Sequence, residues 1–255
     1  MPVSFGAANS FLLLCCQTNR GSRLRVIYGA KPADDTPLKT VPDHEIMEAK
    51  WLTVEELKGK NLRSHEVKSI FNWAQSGTRL FPTSLLESED SGTVNHHKVQ
   101  VNLVAAVEAV VTDGQGRYLA VKGESGKWNI PSATMTRPRQ FKLAAAELIS
   151  GIVLAMEGVL KVYYFAPNSP SNPNPTGFIK VVFLASVAEK FKDFDWSSHG
   201  GAQWLSAQEW AEMTTTGTLE NENAARLVAL AHSTPREQVA PVGVIAMELE
   251  ALKVL

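Results

Sequence analysis

Six basic residues and only one acidic residue, Glu124, lie between positions 117 and 142 of the chain. Ammonium and guanidinium groups form charge-assisted hydrogen bonds with phosphate, so this basic cluster could hold a phosphate-bearing ligand without a metal ion. The alternative is a solvated surface, because lysine and arginine are mostly exposed in folded proteins. The six residues are Arg117, Lys122, Lys127, Arg137, Arg139 and Lys142.

Arg137 and Arg139 flank Pro138 where a helix is predicted to begin. Helix N-termini carry unpaired N–H groups and a partial positive charge, and both favour an anion. Guanidinium groups at that end therefore predict a negative group nearby: a phosphate ligand, an acidic partner or a local carboxylate such as Glu124. The other predicted ligand-binding residues are Lys127, Trp128 and Ser132.

Glu147 is the candidate catalytic residue, and it lies inside the predicted helix 138–156. Apolar residues recur in this segment at helical spacing, which is typical of a helix with one buried face. We expect the segment with Trp128 and Pro131 to shape a cleft beside Glu147, within reach of Ser132. Trp128 could equally be an ordinary core residue, because buried aromatic side chains are common.

Other motifs do not predict a site. The segment 123–127 is similar to a phosphate-binding P-loop, but Val121 replaces its first glycine and Trp128 replaces the final Ser/Thr. His96 and His97 lie in a polar segment without a third ligand at a useful spacing, so no metal site is predicted. The chain offers no candidate nucleophile for covalent catalysis.

The order of predicted elements favours an α+β fold. Apolar and β-branched runs predict strands, and Ser/Thr followed three residues later by Glu predicts capped helix starts at Thr53 and Ser206. The predicted strands are 11–16, 24–30, 101–112, 117–122, 160–166 and 178–187, and the predicted helices are 64–75, 138–156 and 220–232.

Two parts of the chain repeat one another in the same order. Residues 23–30 match 178–185, and residues 49–56 match 202–209. The region upstream of the second copy, 98–159, has no counterpart before the first copy. The pattern predicts a half-domain in front of a complete one: 1–86 a partial repeat, 87–97 a linker, 98–235 the complete domain and 236–255 a C-terminal tail.

The complete domain resembles the Nudix superfamily of metal-dependent hydrolases of nucleoside diphosphate derivatives. The resemblance rests on the strand pair around the glycine-rich turn 113–116, on Lys-Trp-Asn-Ile-Pro at 127–131, on Ala-Ala-Ala-Glu-Leu at 144–148 and on Ala-x-Trp-Leu-Ser at 202–206. It implies a Nudix-like α/β/α sandwich with a mixed sheet. Residues 4–73 match only the later half of such a domain.

The family signature GX5EX7REUXEEXGU is barely retained. An alignment at Pro131 puts its conserved positions on Ala133, Arg139, Glu147, Leu148, Gly151 and Ile152. A shift by one residue restores Glu147 to a glutamate position and puts Ser132, Pro138, Ala146, Ser150 and Gly151 at the others. The resemblance therefore implies that a single signature carboxylate, Glu147, survives.

Loss of carboxylates argues against catalysis, because Mg²⁺ requires several oxygen ligands. The leading hypothesis is a non-catalytic module that binds a nucleotide or phosphate, or a protein, and needs no cofactor. One alternative is an active hydrolase that uses Mg²⁺ or Mn²⁺ with Glu147 and a carboxylate such as Glu157 or Asp193. Another is a structural scaffold subunit.

The composition and net charge of the chain are typical of a globular protein. The chain has 255 residues, of which 44% are hydrophobic and 20% are charged, as in globular proteins. A net charge of −1 gives no strong nucleic-acid signal, and no apolar run approaches the ~20 residues of a membrane span. We expect an intracellular protein, cytoplasmic or nuclear. An unpaired strand edge in the half-repeat further predicts docking onto the second domain, self-association or a protein partner, with Phe11, Leu13, Val26, Tyr28 and Trp73 among the buried contacts.

Overall fold

A computed structural model describes residues 10–18, 21–29, 49–62, 66–76, 85–88, 103–135, 141–165, 172, 176–191, 194–196 and 201–242. The chain divides into two compact units. One comprises residues 1–16, 24–83 and 246–255, and the other comprises 17–23 and 84–245.

The N-terminal elements follow the predicted order. Strands β1 (Ser10–Thr18) and β2 (Gly21–Gly29) form a two-stranded sheet. The helices are α1 (Val54–Leu57) and α2 (Glu66–Gln75). The structure describes the backbone of these elements and not the burial of five of their side chains, so that predicted burial stays a prediction: Phe11, Leu13, Val26, Tyr28 and Trp73.

Both predicted capping boxes are confirmed, with nearly the same geometry. Thr53 Oγ1 accepts from Glu56 N at 3.2 Å, and Glu56 Oε2 accepts from Thr53 N at 2.7 Å. Ser206 and Glu209 form the same pair of bonds at 3.2 and 2.7 Å. Each box pairs N–H groups that the helix itself leaves open. The sequence repeat thus has equivalent local structure at these two points, while the tandem-repeat interpretation stays a prediction.

Among the described residues, eight strands of the larger unit form one mixed sheet in the order β10-β5-β4-β9-β8-β3, with β6 paired to β5 and β7 paired to β4. Strands β4 and β9 are parallel, whereas β8 and β9 are antiparallel. The strands are β3 (Leu86–Ser88), β4 (Leu103–Thr112), β5 (Arg117–Lys122), β6 (Trp128–Asn129), β7 (Ser132–Met135), β8 (Leu154–Phe165), β9 (Gly177–Val187) and β10 (Ala202–Ser206). The helices are α3 (Phe141–Ala146), α4 (Ala207–Thr215) and α5 (Asn223–Ser233).

Alternation along the strands builds a core on each side of this sheet. Val110 belongs to a cluster that includes Trp210 of α4 and Leu227 of α5. Its neighbour Val111 belongs to a second cluster that includes Trp196. A mixed sheet with helices α4 and α5 packed on one face and a second core cluster on the other confirms the predicted α+β class.

The prediction of a helix at 138–156 is wrong after Ala146. Helix α3 ends at Ala146, and β8 begins at Leu154 rather than at the predicted position 160. Gly151 adopts φ +77°, which a right-handed helix does not contain. The β-branched residues 149, 152 and 153 favour extended backbone, so tertiary pairing outweighs the apolar periodicity.

The segment after α5 packs along β8. Val159 and Ala240 exchange two backbone hydrogen bonds of 2.7 and 3.3 Å. The Arg236 guanidinium forms an ion pair with Glu157 of β8. In the part of the chain that the structure describes, no helix is long and apolar enough to span a membrane.

Candidate functional site

The site predicted around Glu147 begins where α3 ends. Phe141 and Ala145 anchor the helix in the core, and Glu147 is the first residue after it. A turn follows, in which Ile152 N donates to Ile149 O at 3.0 Å and Gly151 takes the left-handed conformation. Glu147 itself is exposed.

This turn removes the spacing that a metal-binding helix needs. Carboxylates three or four residues apart share a face only while the backbone stays helical. Here the positions after Glu147 are Ser150 and Gly151, which bring no carboxylate. The residues around Glu147 therefore do not fit a Nudix-type Mg²⁺ site. Across the described ranges, no group of three or more His, Cys, Asp and Glu residues could hold a metal ion.

A cavity of about 300 Å³ lies beside this turn. Ser132 at the start of β7 and Ser150 in the turn line it, so the structure brings two predicted signature positions to one cavity. Its polar residues also include Lys122 and Asn129 of the β5–β6 region and Glu220 near α5. We call it the turn cavity. It provides one cation, one anion and three neutral hydrogen-bonding side chains.

Trp128 is the neighbour of Asn129 but is not itself a lining residue of the turn cavity. Its ring packs against the core cluster that contains Trp210, and its backbone bonds to Thr218 and Glu220 at 3.0 and 2.9 Å. The Lys122 ammonium lies 4.9 Å from the Trp128 ring centroid, which is cation–π distance. The residue that lines the cavity at this point is therefore Asn129 and not the predicted Trp128, whose ring belongs partly to the core.

The Glu220 carboxylate lies against Gly123. A Cβ on Gly123 would be 2.5 Å from Glu220 Oε2, so the absence of a side chain makes this approach feasible. Because Glu220 N also donates to Trp128 O, the carboxylate is tied to the β5–β6 region at two points. Sequence reasoning missed Glu220, since nothing in its local sequence separates it from a surface glutamate.

The basic cluster is only partly available for a ligand. Arg117 Nε donates to Asp113 Oδ2 at 2.6 Å and closes the turn between β4 and β5. Burial works to raise the pKa of Asp113, but hydrogen bonds from Gln115 and Arg117 hold that pKa below its usual value. Lys127 and Lys142 are exposed. Arg137 and Arg139 lie outside the described residues.

Of the carboxylates that the hydrolase alternative requires, Glu147 and Glu157 are not among the lining residues of the turn cavity. Glu157 lies on β8 and pairs with Arg236. Asp193 lies outside the described residues. The roles predicted for Glu147, Lys127, Trp128, Ser132, Arg137 and Arg139 therefore stay predictions.

A second cavity, of about 530 Å³, lies over strands β4, β7 and β9. Its most polar lining residues are Glu108 and Lys180, whose side chains form an ion pair of 2.9 Å. We call it the strand cavity. Sequence reasoning missed this pair, although each residue interrupts an otherwise apolar strand and a lone charge in such a strand signals a buried partner.

Comparison with known proteins gives a likeness of fold. No family model and no curated protein matches the chain. A Nudix hydrolase from Nitrosomonas europaea is 17% identical with a TM-score of 0.43, and the match covers 58% of this chain and 99% of that one. An ADP-ribose pyrophosphatase from Streptococcus suis is 15% identical with a TM-score of 0.38, covering 57% and 98%. Shewanella oneidensis NrtR is 15% identical with a TM-score of 0.38, covering 50% and 61%. The likeness to these three structures concerns the fold alone, and the Nudix-like fold stays the prediction that the motifs carry.

Proposed function

We propose that the larger unit is a non-catalytic module that binds a phosphate-bearing ligand at the turn cavity without a metal ion. The observation that carries this proposal is the end of α3 at Ala146, after which Glu147, Ser150 and Gly151 occupy a turn. Pyrophosphate hydrolysis in this fold depends on grouped carboxylates that hold metal, and the positions three and four residues after Glu147 are Ser150 and Gly151, which bring no carboxylate.

The side chains that line the turn cavity can bind an anion with modest affinity. The Lys122 ammonium and the hydroxyls of Ser132 and Ser150 can donate to phosphate oxygens. Glu220 contributes an opposing charge, so the net attraction is small. Because Lys122 is exposed, that attraction is screened as salt concentration rises.

Calorimetric titration of the full chain with pyrophosphate and ADP, at low salt and in the presence of a chelator, tests the proposal. We expect saturable binding that weakens with salt and falls about fivefold in Lys122→Ala, since one charge-assisted contact is lost. Lys190→Ala is the matched control. Its ammonium is also exposed and lies 4.8 Å from the Phe191 ring, but away from the turn cavity.

A second variant, the double substitution Arg137→Ala with Arg139→Ala, tests the predicted role of these two arginines. If they belong to the same anion site, the double substitution lowers affinity further at low salt and less at high salt. Equal affinity of Lys122→Ala and the parent chain, or no binding at low salt, contradicts the proposal and leaves a structural scaffold as the better interpretation.

The hydrolase alternative is tested on the same protein. Phosphate release from a panel of nucleoside diphosphate derivatives is assayed with added Mg²⁺ or Mn²⁺. Saturable turnover that disappears in Glu147→Gln, with Glu157→Gln as the comparison, overturns the non-catalytic proposal.

A further inference from the structure

Two tryptophans occupy equivalent places in the two matching segments of the chain. Trp51 stands two residues before the helix cap Thr53, and Trp204 stands two residues before the helix cap Ser206. Each cap forms the same pair of hydrogen bonds with the glutamate three residues on. Because the local backbone is equivalent, the surroundings of one tryptophan can be compared directly with those of the other.

The two segments are anchored alike but differ in the burial of the tryptophan. The residue six positions after each tryptophan is buried, since Leu57 is 3% exposed and Trp210 is 0% exposed. Trp51, however, is 67% exposed, whereas Trp204 is half-buried. Tryptophan is enriched among the residues that provide most of the binding energy at protein interfaces, so a tryptophan presented in this way suggests a contact with another molecule.

Trp204 is covered by an aromatic segment of its own unit. Its ring meets the Trp196 ring edge-to-face, with the centroids 5.5 Å apart and the planes at 79°. The Trp196 ring meets the Phe194 ring in the same way, at 5.2 Å and 74°. Trp196 is only 8% exposed, so it is held firmly against its neighbours. Edge-to-face pairs add stabilisation beyond the area that they bury.

The sequence before Trp51 does not contain an equivalent of this aromatic pair. In the second copy, the two aromatic residues lie ten and eight positions before the tryptophan, and the residues at the same distances before Trp51 are Val41 and Asp43. Residues 30–48 include no phenylalanine, tyrosine or tryptophan. The stretch that covers the tryptophan in the second copy therefore lacks the side chains to do so in the first.

Charge beside the exposed ring indicates which kind of segment would cover it. Lys50 precedes Trp51 and is exposed, and the second copy has the neutral Gln203 at this position. The covering segment of the second copy has a carboxylate, Asp195, between its two aromatic residues. A similar carboxylate near Trp51 would be close to an ammonium group. Complementary charge thus favours an acidic segment.

We propose that Trp51 anchors a segment of a partner protein in which an acidic residue stands between two aromatic residues. The second aromatic ring of the partner packs edge-to-face on Trp51, as Trp196 packs on Trp204, and the partner's carboxylate faces Lys50. Such a contact is small, so binding is weak and reversible. None of the residues that line the turn cavity or the strand cavity takes part, so the proposal depends on neither.

Fluorescence anisotropy of a labelled peptide titrated with the full chain tests the proposal. The peptide has the sequence of residues 193–198, Asp-Phe-Asp-Trp-Ser-Ser. We expect saturable binding that falls at least about tenfold in Trp51→Ala, because the anchoring ring is lost, and that is largely kept in Trp51→Phe. Lys50→Gln, which introduces the residue of the second copy, should weaken binding about twofold and reduce its dependence on salt.

Two controls separate the proposed contact from general effects. Leu143→Ala removes an apolar side chain of α3 that is 47% exposed, and it should leave the affinity unchanged. Because Trp51 is mostly exposed, Trp51→Ala should keep the denaturation midpoint of the parent chain. A peptide with alanine in place of both aromatic residues should not bind.

Absence of saturable binding, equal affinity of Trp51→Ala and the parent chain, or binding of the alanine peptide overturns the inference. Analytical ultracentrifugation examines a second copy as the alternative occupant. A dimer that forms as the protein concentration rises and disappears in Trp51→Ala would assign this surface to self-association, and it would also overturn the proposal.

Discussion

Glu108 and Lys180 lie on neighbouring parallel strands and pair diagonally, with their side-chain atoms 2.9 Å apart, while the residue directly opposite Lys180 is Ala106. The small side chain at position 106 leaves room for the lysine to reach along the sheet. This diagonal contact places a buried ion pair in the floor of the strand cavity.

The ion pair should respond asymmetrically to substitution. Removal of one partner, in Glu108→Gln or Lys180→Met, leaves the other charge buried without compensation and should lower the free energy of unfolding by about 3 kcal/mol. The double variant Glu108→Gln with Lys180→Met should lose less than either single variant, because it leaves no unpaired charge. Urea denaturation of all four proteins gives the coupling energy, and simple additivity of the two losses contradicts this account.

The helix cap at Ser206 should also contribute to the free energy of unfolding. Ser206 accepts from Glu209 N at 3.2 Å, so Ser206→Ala should cost about 1 kcal/mol of unfolding free energy. Ser206→Asn is the matched control, because asparagine also caps well and should retain most of the stability. An unchanged denaturation midpoint in Ser206→Ala would show that the box contributes nothing.

The same box should make stability depend on pH in the acid range. Hydrogen bonds from the Ser206 backbone and hydroxyl lower the pKa of Glu209 below its ordinary value of 4.5. Since the folded pKa lies below the unfolded one, this stabilisation is present above pH 4.5 and is lost as pH falls through the folded pKa. Parallel acid titrations of the parent and Glu209→Gln should therefore converge as pH falls from 4.5 through the folded pKa, and curves that stay parallel contradict the assignment.

Gly151 distinguishes the structure from the helix that its sequence predicts. Inside a helix, Gly151→Ala would stabilise the protein by about 1 kcal/mol. At φ +77° the same change should instead destabilise it by about 1–2 kcal/mol, although nothing lies within 4 Å of the added Cβ. Gly151→Asn should cost less, because asparagine tolerates the left-handed region. Thermal denaturation decides between the signs.

Local signals in this chain were sufficient to predict local structure. The strand 117–122 has the predicted bounds, since a short apolar run after a glycine-rich turn is encoded within a few positions. The boxes at Thr53 and Ser206 were predictable for the same reason. The end of α3 was not, because apolar spacing continues to Met156 and only pairing of that segment with β9 makes it a strand.

The ion pair in the strand cavity could not be predicted from the order of residues along the chain. Glu108 and Lys180 are far apart in the chain, and their contact depends on the register of β4 against β9. Likewise Glu220 lines the turn cavity where its segment pairs with Trp128 through backbone hydrogen bonds. Spacing along the chain identifies groups that act within one element, whereas these groups are assembled by strand pairing.

Gly158 tests how the segment after α5 is held against β8. A Cβ on Gly158 would lie 2.6 Å from Ala240 O and still closer to a methyl group of Val239, and backbone cannot yield as a flexible side chain can. Gly158→Ala should therefore push residues 239–240 away from the strand, break the bonds between Val159 and Ala240, and cost about 1–3 kcal/mol.

Hydrogen exchange provides a direct readout of that displacement. The Val159 and Ala240 amides should exchange faster in Gly158→Ala, while Ala155→Ser, an exposed change on the same strand, should leave both unchanged. Adding Val239→Ala removes the closest side-chain contact but not Ala240 O, so it should restore protection only in part. Full protection of Val159 in Gly158→Ala would mean that the segment can shift without breaking the pair, and the close fit at Gly158 would then have no energetic consequence.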